Sequence, residues 1–278
     1  MLGTQFGFVH GKALEYVYNP PGYERKILSE LIWEMKPVFY YGFLLDFGLL
    51  DPMSRPGIFA STSFKVGVPA DTGVMEDRDW LSPSDDFTHF SSSTNKTREF
   101  LWLDAAVGAS LPVRPFFYLR TFISGSWTRF SFTARGGYWA YPSSSGYFED
   151  DEEVCRYQQD WFLLAAGISM VTTVLSPFSF DISVKASPLT YCKAVDEHPK
   201  RDDTTFMDYT SLGFFLEPAF GLSFTAERVE FSFQAAWRLT EKTRGESFES
   251  SNGLFYKNGE AGAGLLFTDT RLIVTLRI

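Results

Sequence analysis

The segment "VEFSFQAAWRLT", Val229 to Thr240, alternates with a period of two. An extended strand projects successive side chains to opposite sides, and a helix does not. Val229, Phe231, Phe233, Ala235, Trp237 and Leu239 therefore share one face, and Glu230, Ser232, Gln234, Ala236, Arg238 and Thr240 share the other. This run is longer than the ~9 to 11 residues with which a tilted strand crosses a bilayer. The pattern recurs in "RLIVTLRI", where Leu272, Val274, Leu276 and Ile278 oppose Arg271, Thr275 and Arg277. It recurs again in "TRFSFTAR", with Phe130, Phe132 and Ala134 against Arg129, Ser131, Thr133 and Arg135. Each strand has a wet side and an apolar side. Composition agrees: 45% of the 278 residues are hydrophobic and 18% aromatic, yet mean hydropathy is near zero.

Connectors of two sizes separate such strands. The short ones are "DPMSRPG" after Leu50, "PVRP" after Leu111, "SPFS" after Leu175 and "AER" after Thr225. The long ones are "NPPGYE" from Asn19, the region from Ala70 to about Thr97, "GGYWAYPSSSGYFEDDEE" from Gly136, "VDEHPKRDDTTF" from Val195 and "EKTRGESFESSNG" from Glu241. Four short turns and five long loops predict ten antiparallel strands, with short turns at one end and long loops at the other, the layout of an outer-membrane barrel. At about 28 residues per strand and connector, the strands should outrun the membrane on the long-loop side. The competing reading is a soluble β-sandwich or lipocalin-like barrel, in which the apolar faces point inward.

Other classes find little support. The longest uncharged run, Trp161 to Phe180, has a Ser-Pro in its interior and reads as two strands joined by a turn rather than a membrane helix. No signal peptide is visible at the N-terminus, which fits either a cytoplasmic protein or a mature form. Cys155 and Cys192 lack metal-site spacing. A hairpin near Pro177 would leave them roughly six residues, about 20 Å, out of register, so two free thiols are expected. A net charge of -9 argues against nucleic acid and for cationic partners. No G-x-S-x-G elbow, H-E-x-x-H zinc motif or nucleotide loop is present.

Two acidic constellations fall in or beside long loops, and so at one end of the barrel. "EDRDW" holds Asp77 and Asp79, and "VDEHPK" holds Asp196 and His198. In extended chain, residues two apart face the same way, which makes one carboxylate pair and one acid and base pair. A carboxylate beside a histidine fixes its tautomer and stabilises the imidazolium, while two aspartates can hold a water in front of it. The bland alternative is that both motifs are solvated loop residues.

These residues resemble the omptins, ten-stranded outer-membrane endoproteases of Gram-negative bacteria. "RFSFTARGG" is similar to the family's R-[YF]-S-F-T-A-R-G-G, "DRDW" to its D-x-D-W and "DEH" to its D-E-H. "LEYVY" and "RKILSELIW" resemble its first two strands. The resemblance implies one barrel domain over 1–278, all-β, with its active site facing the cell exterior. It implies that Asp77 and Asp79 face Asp196 and His198 across a water, that His198 takes the water's proton and that Asp196 orients His198. Glu15 falls where the family has an acid at the base of the pocket for a basic substrate side chain.

Two departures bear on that expectation. The family's second acid in this pocket, two positions before the D-E-H aspartate, is replaced by Ala194, and the basic position that follows Arg129 in its lipopolysaccharide site is replaced by Asp160. The expected partners are cationic peptide or protein substrates and an outer-membrane lipid. No metal or cofactor is expected, lipopolysaccharide or another lipid is an activator at most, and the barrel should be a monomer because closure removes its sheet edges. The alternative function is a surface adhesin or binder of cationic peptides that retains the motifs.

Overall fold

The computed structural model describes residues 1–23, 26–48, 55–82, 86–200, 204–251 and 254–277. Among them the chain forms strands and turns without an α-helix. The strands are β1 (Leu2–Tyr18), β2 (Ile27–Gly48), β3 (Gly57–Gly67), β4 (Ala70–Asp79), β5 (His89–Arg114), β6 (Phe117–Tyr141), β7 (Ser144–Tyr147), β8 (Glu153–Leu175), β9 (Phe178–Ser187), β10 (Thr190–His198), β11 (Thr204–Ser211), β12 (Phe215–Ala226), β13 (Val229–Thr240), β14 (Arg244–Ser251) and β15 (Leu254–Leu276). β3 and β4 together make one stave, since both pair with β2 and β5. In the same way β9 joins β10, β11 joins β12, and β13 joins β14. Ten staves result, and β1 pairs antiparallel with β15 along its whole length to close the ring. β7 is a short flap hydrogen-bonded to the end of β6.

The direction of burial separates a membrane barrel from a soluble one. On β13 the apolar face points outward: Phe231 and Phe233 are 43% and 50% exposed, while Ser232, Ala236, Arg238 and Thr240 are buried. Phe39, Phe43, Ile58, Val107, Ile123 and Leu272 join them in an exposed belt. An outward belt of this size has no place on a soluble protein and suits lipid. The lipocalin-like alternative is thereby ruled out.

β6 shows where the belt ends. Its lower half points Leu119, Ile123 and Trp127 outward and buries Ser124, Ser126 and Thr128; its upper half buries Phe130, Phe132 and Ala134 and points Arg129, Ser131 and Arg135 outward. The amphipathic pattern persists while its sense reverses, so the apolar face of "TRFSFTAR" is a lumen face above the lipid. At a rise of about 3.3 Å per residue, strands as long as β5 and β6 extend far beyond a hydrocarbon core, as the spacing predicts.

The two halves of the lumen are filled differently. Within the belt, Lys65 donates to Asp269 at 2.9 Å, and Arg238 and Lys185 meet Glu217 at 2.7 and 2.6 Å. Lys65 lies 3.3 Å from the centre of the Trp102 ring. Above it, Trp33 stacks on Phe132 and Tyr157 at 5.6 and 5.3 Å, and Phe130 stacks on Phe100 at 4.6 Å. Buried charges are tolerable only in such pairs, and the aromatic layer forms a floor on which the mouth of the barrel is built.

Several expected long loops are strand instead. The segments 70–79 and 89–97 belong to β4 and β5, β6 continues through Gly136 to Tyr141, β10 runs through "DEH" to His198, and β14 occupies most of "EKTRGESFESSNG". Their polar and glycine-rich composition reads as loop, but their backbone groups are paired across the sheet. Ser176–Pro177 and Glu227–Arg228 do form the tight turns expected. Most of "DPMSRPG" lies outside the described residues.

Candidate active site

Asp77 and Asp79 project from β4, and the buried Met75 on the same side fixes that side as the lumen. The two-residue spacing puts both carboxylates on one side, as expected, and the strand turns that side inward, half-buried rather than in a solvated loop. Asp77 accepts a hydrogen bond from Ser29 Oγ at 3.3 Å. Asp79 pairs in register with His89, whose ring rests on Tyr141 at 4.6 Å.

Asp196 and His198 project from β10. Asp196 is buried, and its Oδ2 accepts from His198 Nε2. The imidazole also stands edge-on to Phe206 at 5.7 Å. A carboxylate can only accept, so this contact requires hydrogen on Nε2 and leaves Nδ1 as the basic nitrogen. The other oxygen of Asp196 accepts from the Cys155 thiol at 2.8 Å. Neither the sequence motifs nor their spacing pointed to Cys155 here. Its position three strand steps of alternation before the buried Trp161, on the inward parity of β8, is the signal that could have.

Glu15 and Asp77 belong to one hydrogen-bonded row, Glu15 opposite Leu31 and Leu31 opposite Asp77. Glu15 is 2% exposed, and its Oε2 has no hydrogen-bond partner among the described residues. Burial, then repulsion from Asp196, Asp208 and Asp77, holds its carboxyl well above the usual range. Since charge repulsion of that kind requires proximity, Asp77, Asp196 and Asp208 lie near Glu15 in the lumen.

Asp208, absent from the sequence-predicted set, supplies a further carboxylate. It lies on β11 directly across from Ala194 on β10. Antiparallel partners carry their side chains on the same face, so the acid missing at position 194 has a counterpart one strand over. Asp208 is 4% exposed, its Oδ1 is without a partner among the described residues, and burial pushes its carboxyl up to about 7 against the opposing hydrogen bond from Ser247. A lone aspartate at an inward position of "TTFMDYTS" was the available signal, but only register ties it to Ala194.

Arg129 faces outward at the upper edge of the belt. Its Nε donates to Asp160 Oδ1 at 2.8 Å and its second guanidinium nitrogen to Oδ2 at 3.1 Å; Trp127 and Gln158 also donate to Asp160. Asp160 is its register partner on β8, as the departure in sequence suggested. Cys155 and Cys192 are separate buried thiols. Cys192 pairs with Trp161, which puts it six positions along β8 from Cys155.

The comparisons bear out the resemblance. The omptin family model matches residues 1–277. The crystal structure of the outer membrane protease OmpT from Escherichia coli superposes with a TM-score of 0.83 at 18% identity, covering 99% of this chain and 96% of that one. The transport unit of the autotransporter AIDA-I from Escherichia coli aligns over 100% of this chain and 90% of its own at 8% identity, but its TM-score of 0.39 carries no argument. No curated protein sequence matches. With the family's motifs spread over the whole length of a ten-stave barrel, the chain belongs to the omptin family of outer-membrane proteases.

Proposed function

We propose that the barrel is an endopeptidase whose mouth faces the cell exterior and which activates a water between the Asp77 and Asp79 pair and the Asp196 and His198 pair. The water oxygen attacks the scissile carbonyl carbon while its proton passes to Nδ1 of His198. Asp196, bonded to Nε2–H, stabilises the imidazolium that forms. Collapse of the tetrahedral intermediate breaks the C–N bond, and His198 returns the proton to the departing amine. Asp77 and Asp79 hold and polarise the water. The observation that carries this reading is the Asp196–His198 contact, with Asp77 and Asp196 both near enough to Glu15 to raise its carboxyl.

The cleft is acidic throughout, which favours substrates with basic residues near the cut. Glu15 and Asp208 are suited to receive a basic side chain, because a cation would give their unpartnered oxygens the charge they lack. The same feature supports a second reading, capture of cationic peptides without hydrolysis. An outer-membrane lipid is the other proposed partner, and the pairing of Arg129 with Asp160 points to a weak dependence on lipopolysaccharide.

The test is a library of internally quenched peptides offered to the refolded barrel and to His198→Ala. Cleavage next to basic residues, reduced by a factor of ~100 or more in the variant, is expected. Cleavage that survives the substitution would sink the mechanism, and binding without cleavage would favour the second reading.

A further inference from the structure

Several outward cations of the upper barrel are already paired: Arg129 with Asp160, Lys36 with Glu34 and Arg244 with Glu260. Lys12 and Lys242 form no ion pair among the described residues. Both line an outward groove of about 440 Å³ that crosses β15 between β1 and the junction of β13 with β14. Register builds it. Ala13 and Glu15 are buried toward the lumen, so Lys12, Leu14 and Tyr16 point out. Gly264 lies opposite Leu14 and has no side chain to fill the space beside it; a Cβ there would meet Leu14 at 3.3 Å. On the other side, four residues, 241–244, span the three from 262 to 264 between the pairs Thr240–Leu265 and Gly245–Ala261. An extra residue of this kind bends the strand, and Lys242 lies over the Tyr16 ring at 3.9 Å. The floor is Leu14, Leu266 and bare glycine backbone. Below it on the same three staves, Phe6 and Leu272 face each other in register and Leu239 pairs with Leu266, all within the exposed belt.

We propose that this groove holds an anionic lipid, with its phosphodiester between Lys12 and Lys242 and the start of one acyl chain over Gly264 and Leu266. The two lysines and Glu241 on the rim leave one net positive charge, the complement of a phosphodiester. Lysine stems run along apolar surface while their ammonium groups reach toward water, which suits the height at which lipid headgroups lie. The Tyr16 ring holds the Lys242 ammonium in place before any lipid arrives, which lowers the cost of ordering it. A water-soluble phosphate would meet the same lysines and leave the apolar floor bare. Continuity of that floor with the belt is what favours a lipid. The groove is separate from Arg129, because β15 stands five staves from β6 in either direction around the ring.

The test is native mass spectrometry of the full chain, refolded in a nonionic detergent and titrated with phosphatidylglycerol. The apparent Kd for the first bound lipid should rise roughly 25-fold when Lys12→Gln and Lys242→Gln are combined, at about fivefold for each lysine beside an anionic lipid. Both lysines are exposed, so the double variant should fold as the parent does. Phosphatidylcholine, whose phosphate carries its own cation, should bind the two alike. Gly264→Leu keeps both lysines, fills the trough and should weaken phosphatidylglycerol as well. Lys36→Gln and Arg129→Gln should leave the first Kd unchanged. An equal Kd in the parent and the double variant would overturn the site, as would a loss confined to Arg129→Gln. Glycerol phosphate that binds as tightly as the lipid would show that the acyl chain adds nothing. A barrel dimer that Gly264→Leu breaks apart would show that a second copy covers the groove, and either result would overturn the proposal.

Discussion

Asp208 carries the main consequence at the scale of single residues. Burial, with repulsion from Asp196, pushes its carboxyl up to about 7. A basic substrate side chain needs the ionised form, so its uptake should improve as pH rises through that value. For stability the sign is opposite: a carboxyl with a raised folded pKa binds more protons in the native state between about pH 4 and 7, and stability contributed there is lost as pH rises. Asp208→Asn is expected to lower kcat/KM for basic peptides roughly 10- to 100-fold, as for loss of one charge-assisted contact, mainly through KM. It should also flatten the rise near pH 7 and leave cleavage of neutral peptides little changed. A pH series of kcat/KM on paired basic and neutral peptides measures this, and an unchanged KM would remove Asp208 from the pocket.

Strands set what those residues can do. A period-two pattern gives a strand two unlike faces without saying which faces lipid, and β6 uses both senses in succession. The position of the reversal predicts how substitutions behave. Phe233→Lys, in the lipid belt, should cost about 2–4 kcal/mol if near the midplane and less toward the edges. Ser131→Lys, outward on β6 above the belt, should cost close to nothing. Denaturant midpoints of the two variants folded in lipid vesicles decide the matter, and equal losses would move the boundary away from Arg129. The same strands explain why the predicted loops were too long. Segments such as 70–79 and 244–251 are polar because water lies outside them above the membrane, and polarity there does not mean irregular backbone.

At the scale of the whole barrel, lumen and surface are divided by the same boundary. Paired charges fill the lumen inside the belt, aromatic rings close it above, and the acidic mouth sits on those rings. Outside, Arg129 meets the level of the lipid headgroups with its charge already engaged by Asp160. An anionic lipid must therefore displace a two-point ion pair to bind there. Asp160→Asn should increase the stimulation of peptide cleavage by lipopolysaccharide relative to the parent barrel. Assays with and without added lipopolysaccharide test this, and identical stimulation in both would show that the pair does not restrain the lipid.

The sequence by itself determined that the chain folds as an all-β barrel of ten staves, because alternation and connector spacing are local properties. It also determined that Asp77 shares a side with Asp79, and Asp196 with His198, since side chains two apart on a strand share a face. Tertiary structure decided which side of each strand is wet, because that depends on the height of the strand relative to the lipid. It alone brought Asp208 opposite Ala194 and the Cys155 thiol onto Asp196. Those contacts are set by register between strands, and register follows from closing the whole sheet, which no short stretch of sequence encodes.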